Sequence, residues 1–252
     1  MKLRSEVFSP KLAGFLLALF LAQPLIASKP KNEAQVVDSG SFGIFVNGKR
    51  IGTETFKIQQ MSDASVVKSD LKVTDGNVEA VQTSELQMTS AGDLKSYTWV
   101  SSAPEHAETT VAPQDQFLVE HITGAGASPK NKPWSQPFIL PVSTPILDDY
   151  FFAHREVLLW KYLAAGCKPN NGKTECKLTK SQFGVLIPRQ RTSLPVNVEY
   201  IGKETVEVHG KQEELIRFNL TSDDGNWALW LDSNYHLIRV LIAADNTEVV
   251  RD

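Results

Sequence analysis

The side chains able to do chemistry in this chain are few and scattered: five histidines, two cysteines, two pairs of adjacent aspartates and a small set of aromatic residues. His106, His121, His154, His209 and His236 never fall four residues apart, the spacing that sets two imidazoles on one helix face to hold a metal. Ordinary surface positions are the default reading for them, and no metal ligand is assigned. Asp148, Asp149 and His154 can meet at the start of a helix, where they would suggest a general base. The positive end of a helix dipole already accounts for both aspartates. GxSxG, HExxH, the EF-hand loop and CxxC are all missing. GCKPNNGKT (166–174) imitates a phosphate loop, but five residues separate its glycines where the motif needs four. No catalytic residue, cofactor or nucleotide is therefore expected, and the chain does not read as an enzyme.

Cys167 and Cys176 have eight residues between them. In an exported chain an isolated pair reads as one disulfide, closing a loop of about ten residues and worth roughly 2–3 kcal/mol. Metal ligation is the sharper alternative, but two thiolates with no nearby histidine fall short of the four ligands of a structural zinc. Trp134, Trp160, Trp227 and Trp230, with Phe151 and Phe152, are either core or the wall of an apolar cavity. Phe151, Trp160, Trp227 and Trp230 are the candidate ligand-lining residues. Asn219-Leu220-Thr221 matches a glycosylation sequon and falls within an expected strand.

These residues must be positioned by a chain of 252 residues, 42% apolar and 22% charged, with formal charge −3. That composition disfavours a disordered, collagen-like or disulfide-dense chain, and nothing in it advertises a nucleic-acid surface. The first segment has the form of an export signal: Lys2, Arg4 and Lys11, then the apolar run LAGFLLALFLA (12–22), then QPLIAS to Ser28. The run is short for a bilayer span of roughly 20 residues, and Pro24 interrupts it. Residues 1–27 are expected to be a signal peptide cut after Ala27, with an uncleaved anchor as the alternative. Residues 28–40 would be a flexible lead-in and 41–252 one β-rich domain, exported to a periplasmic or extracellular setting. Membrane contact is expected only through the signal segment during export.

Most of the remaining chain alternates as strands do. Phe42, Ile44 and Val46 lead to Asn47-Gly48, a strong hairpin signal, and RIGTETFKI (50–58) returns. Further strands are expected at 65–73, 77–90, 94–102, 106–112 and 116–122, then at 182–188, 194–201, 204–209, 212–220, 226–232, 235–243 and 246–250. Residues 124–145 read as a long loop with a short strand at 138–140. One helix interrupts the pattern at about 145–165, with Thr144 as cap and Pro145 at its first position. YFFAHREVLLWKYLAAG is apolar on most sides, so the helix should be buried. The expected fold is mainly β: a single curled antiparallel sheet or open barrel around one buried helix. IGTETFKI (51–58) and IGKETVEV (201–208) are alike, which shared hairpin chemistry explains.

The hairpin GIFVNGKRIGTETFKI (43–58) resembles the opening of an exported bacterial family of unknown function. The likeness continues in ILDDYFFAHREVLLWKYL (146–163), in VEVHGKQEELIRFNL and WALWLDSNYHLIRVLI (206–242), and in the closing TEVV. It implies a curled antiparallel sheet similar in shape to envelope lipoprotein carriers. The family carries no established catalytic residues, so none is transferred, and the Cys167–Cys176 loop lies outside the likeness.

Two functions follow as expectations. One is a non-catalytic envelope protein holding an apolar or extended ligand (lipid, lipoprotein or glycan) in the hollow of the sheet, which needs a cavity of several hundred Å3 under helix 146–163. The other is a structural or protein-interaction module of the envelope with a filled core and no small ligand. A hydrolase is third and would need converging polar groups with a strongly perturbed carboxylate or histidine.

Overall fold

A computed structural model describes residues 34–124, 133–170, 173–176, 180–223 and 225–252. The expected signal peptide and residues 28–33 of the lead-in lie outside the described residues. The rest of the expected flexible lead-in is corrected: Gln35 to Gly40 already belong to the first strand, paired along its length with the next one. Strand alternation in the first half gives β1 (Gln35–Val46), β2 (Lys49–Gln60), β3 (Ala64–Asp75), β4 (Val78–Thr89), β5 (Leu94–Ala103), β6 (Ala107–Gln114), β7 (Phe117–Gly124) and β8 (Trp134–Phe138). The second half gives β11 (Lys180–Ile187), β12 (Thr192–Val208), β13 (Lys211–Ser222), β14 (Gly225–Leu231), β15 (Leu237–Ile242) and β16 (Thr247–Arg251). Each half is a meander of neighbouring antiparallel strands. The two halves join where β16 pairs with β1, Phe42 opposite Arg251, to make one 14-stranded sheet with β11 and β8 at its edges. Between the halves come α1 (Ala153–Gly166) and a hairpin of β9 (Cys167–Asn170) and β10 (Lys173–Cys176). Cys167 and Cys176 face each other in that hairpin and form the disulfide.

A flat sheet would hold β11 and β4 roughly 40 Å apart, at about 4.8 Å per strand. Arg189, two residues beyond β11, instead donates to Gln82 Oε1 on β4 at 2.7 Å. The sheet is therefore strongly curled, and its inner face wraps α1. One apolar cluster runs through both meanders and the helix, with Phe42, Phe56, Tyr97, Phe151, Phe152, Tyr162 and Phe218 all essentially inaccessible to solvent. At the first turn Asn47 and Gly48 both take positive φ (52° and 74°), the conformation for which Asn-Gly is suited in a tight hairpin.

Three local expectations are corrected. The helix begins at Ala153, not near 145: Pro145 O and Leu147 N bond to Leu186 at the β11 edge, and Tyr150 sits at φ 60°, which a helix does not accommodate. Residues 194–201 and 204–209 are one strand, β12, carried through an irregularity at Gly202 (φ 125°). The short strand of the long loop is Trp134–Phe138 instead of 138–140. On the opposite side of the sheet, the far half of the β12–β13 hairpin builds a second apolar cluster from Val206, Val208, Leu215, Trp230 and Val250.

Candidate functional site

Two places combine unusual residues with a defined shape: a buried polar cluster at the start of α1 and an apolar cleft at its end. The first arises because several strands carry a polar residue in phase with their apolar ones. Glu54 shares the inner face of β2 with Phe56 and Ile58, and Ser69 shares that of β3 with Val67 and Leu71. Glu54 is wholly buried. Its carboxylate accepts from Ser69 Oγ (2.7 Å), from the Phe152 amide (2.6 Å) and from the Ala153 amide (3.4 Å). It thus supplies, from a strand nearly a hundred residues away, the acceptor that the first free N–H groups of a helix require. Burial pushes this carboxyl up to about 7 despite its three donors.

Beside it, Asp148 accepts from Tyr97 Oη (2.6 Å) and from Arg189 Nε (3.0 Å). Arg189 also donates to the Asp149 carbonyl (3.0 Å), which fastens the 3-10 turn Pro188–Gln190 to the segment entering α1. Arg155 donates to the Asp148 and Phe151 carbonyls and stands 4.4 Å from the centre of the Trp227 ring. The sequence does bring Asp148 and His154 together, though not through the aspartate's carboxylate. The Asp148 backbone N–H donates to His154 Nδ1 (3.3 Å), so the ring proton sits on Nε2, which faces Ser84 Oγ at 3.4 Å. An imidazole in that tautomer offers Ser84 a proton and cannot take one from it, so the pair is not a nucleophile and base. The surface position expected for His154 is corrected: it is 1% exposed, and burial, aided by Arg155 and Arg189, pushes it down to about 3.

Two further acids are buried where an ionised carboxylate would lack donors. Both oxygens of Glu120, on β7, are buried without a partner, and those of Glu156, on α1, are buried beside the Asp38 carboxylate. Burial, reinforced by the neighbouring Asp38 carboxylate, pushes Glu156 up to about 10. A protonated Glu156 is able to donate to Asp38, whose own carboxylate is gripped by Arg251 at 2.8 and 2.5 Å. Burial acts upward on Asp38, but Arg251 holds it below the ordinary carboxylate range. Burial likewise pushes Glu120 up to about 7, with Arg191 opposing and Asp148 adding.

The cleft lies at the other end of α1. Val37, Trp160, Leu163, Ala164 and Cys167 form its wall, and Lys168, Asn234, Tyr235 and His236 its rim, around a volume of about 450 Å3. Its parts are held separately. Trp160 is pinned by its Nε1 donating to the Tyr235 carbonyl (2.7 Å). Val37 is the unpaired residue where the β1–β2 register shifts between Val36 and Asp38. The disulfide fixes Cys167 at the foot of the helix.

The four candidate lining residues part company. Trp160 lines the cleft. Phe151 is fully buried against His154, and Trp227, half-buried, packs on Phe152 and Arg155 beside the core. Trp230 lies in the outer cluster, where its Nε1 donates to Glu204 (3.1 Å). The hollow directly under α1 is filled by side chains; the recess there, next to His154 and Leu158, has only about 40 Å3. Of the GCKPNNGKT stretch, Gly166 ends α1, and Cys167–Asn170 and Lys173 with Thr174 belong to the strands of the disulfide hairpin, which is not the strand–loop–helix order of a phosphate site.

Comparison with protein-family models, with curated proteins and with solved structures finds no match to this chain. Among the described residues no group of three or more histidine, cysteine or acidic side chains is arranged to hold a metal, and no helix is long and apolar enough to cross a membrane.

Proposed function

We propose that this is an exported, non-catalytic envelope protein that binds an apolar chain in the cleft beside α1. The observation that carries the reading is the cleft itself: a recess of about 450 Å3 walled by Val37, Trp160, Leu163 and Ala164 and open to solvent. Ligand sites typically span about 300–1,000 Å3 and are mostly apolar with a few polar groups, as here. The disulfide supports export, because such bonds persist in oxidising compartments. The ligand's place moves from the filled hollow to the end of the helix that fills it. The buried polar cluster is read as structural, since Glu54, Tyr97, Asp148 and His154 are no more than 1% exposed and a substrate has no route to them.

The test is a titration with N-phenyl-1-naphthylamine, an uncharged dye that brightens in apolar sites. Saturable binding to the purified protein is expected, and Ala164→Trp should abolish it by filling the cleft from an exposed position. A folded protein that never binds the dye, or an Ala164→Trp variant that binds it unchanged, removes the reading. The packed hollow favours a second one: an interaction module of the envelope using its β8 edge, next to which Ile139 stands 87% exposed. Dye binding abolished by Ile139→Asp and not by Ala164→Trp would select it.

A further inference from the structure

The mouth of the cleft carries a charge whose sign bears on the ligand. Among the described side chains around the cleft, Lys168 is the one with a permanent charge; His236 faces the Asp232 carboxylate at 3.4 Å. Lys168 directly follows Cys167, which belongs to the wall, and the disulfide with the β9–β10 pairing fixes that stretch of backbone. The ammonium group is therefore tethered one residue from the apolar surface. Its cross-strand neighbour Glu175 is not part of the cleft. The sequence adds an independent observation. The hairpin strands Cys167–Asn170 and Lys173–Cys176 hold Lys168 and Lys173 against Glu175 alone, whereas residues 28–252 hold 28 acidic against 23 basic side chains. The local field at this hairpin thus opposes the sign of the chain as a whole, and such a field raises the local concentration of anions.

We propose that the cleft takes an anionic amphiphile, with a single alkyl or acyl chain against Trp160, Leu163 and Val37 and a carboxylate or phosphate head beside Lys168. This rests on the apolar-chain reading above and adds the charge of the head. The long lysine side chain suits the role, because its methylenes extend the apolar wall while its ammonium stays in water to meet the head group. An exposed charge pair contributes modestly and is screened by salt, so it selects among amphiphiles sharing one tail without replacing the tail as the source of affinity.

The experiment displaces bound N-phenyl-1-naphthylamine with dodecanoate, dodecanol and dodecyltrimethylammonium, each below its micelle concentration. Dodecanoate should bind about tenfold more tightly than the cation at low ionic strength, with dodecanol between them, and about 0.5 M salt should shrink the gap. Lys168→Glu, checked for an unchanged circular dichroism spectrum, should reverse the order. Equal displacement by anion and cation, or an order unmoved in Lys168→Glu, overturns the proposal while dye binding leaves the apolar-chain reading in place. No dye binding at all removes both. Co-sedimentation with phosphatidylglycerol vesicles without displacement by monomeric dodecanoate overturns it in favour of a membrane surface.

Discussion

Replacing Glu54 is the sharpest probe of how this fold is held. Glu54→Ala withdraws the acceptor from two strong donors, Ser69 Oγ at 2.7 Å and the Phe152 amide at 2.6 Å, in a place no water reaches. The serine hydroxyl can turn elsewhere; the backbone amide cannot. An unsatisfied buried donor costs about 1–3 kcal/mol, and a lost helix cap about 1–2 kcal/mol. Glu54→Ala should therefore cost about 2–5 kcal/mol, a large share of the roughly 5–15 kcal/mol that holds a typical domain. Glu54→Gln keeps one acceptor and removes the titration. Burial raises the folded pKa of Glu54 to about 7 from 4.5. The stability it contributes is fully present below pH 4.5 and is lost as pH rises toward 7, at about 1.4 kcal/mol per pH unit. Glutamine has no such loss. Urea denaturation of both proteins from pH 4.5 to 7.5 should show the difference moving by about 3 kcal/mol in favour of Glu54→Gln. A pH-independent difference, or a Glu54→Ala cost below about 1 kcal/mol, would mean that Glu54 neither titrates in the interior nor caps α1.

The same linkage applies to Glu156, whose folded pKa lies near 10. Glu156→Gln retains a donor for Asp38, so it should gain on the wild type steadily between pH 5 and pH 9 in denaturation experiments; parallel curves would contradict a neutral Glu156 in the folded state. Trp160→Ala removes a ring pinned to Tyr235 and should both weaken dye binding and cost about 3 kcal/mol on the large-to-small scale. Full dye affinity in a folded Trp160→Ala protein would remove Trp160 from the binding wall.

The sequence was enough for the sheet, because period-two alternation, the Asn-Gly turn and a helix apolar on most sides are local signals with local causes. The Cys167–Cys176 bond was legible for the same reason, lying within one short loop. What α1 does at its ends was not. Thr144 and Pro145 carry the local marks of a helix start, yet the Thr144 amide closes a turn on Pro141, Pro145 O accepts from Leu186 on the β11 edge, and the acceptor at Ala153 comes from Glu54. The similar segments 51–58 and 201–208 make the point sharply: Glu54 enters the core, while the matching Glu204 holds Arg217 and Trp230 on the opposite face. A signal did exist in the glutamates that share an alternation phase with apolar residues, Glu54 with Phe56 and Ile58, and Glu120 with Leu118 and Ile122.

Pattern alone thus determined that one sheet would bend around one helix. Only the curl of that sheet decided which polar groups meet, that the hollow is filled, and that the open apolar surface lies at the helix's far end between Trp160 and the disulfide. The reason is range: alternation and turn chemistry act over a few residues, whereas hydrogen bonds such as Arg189 to Gln82 join residues more than a hundred positions apart and exist only once the sheet has curled in space.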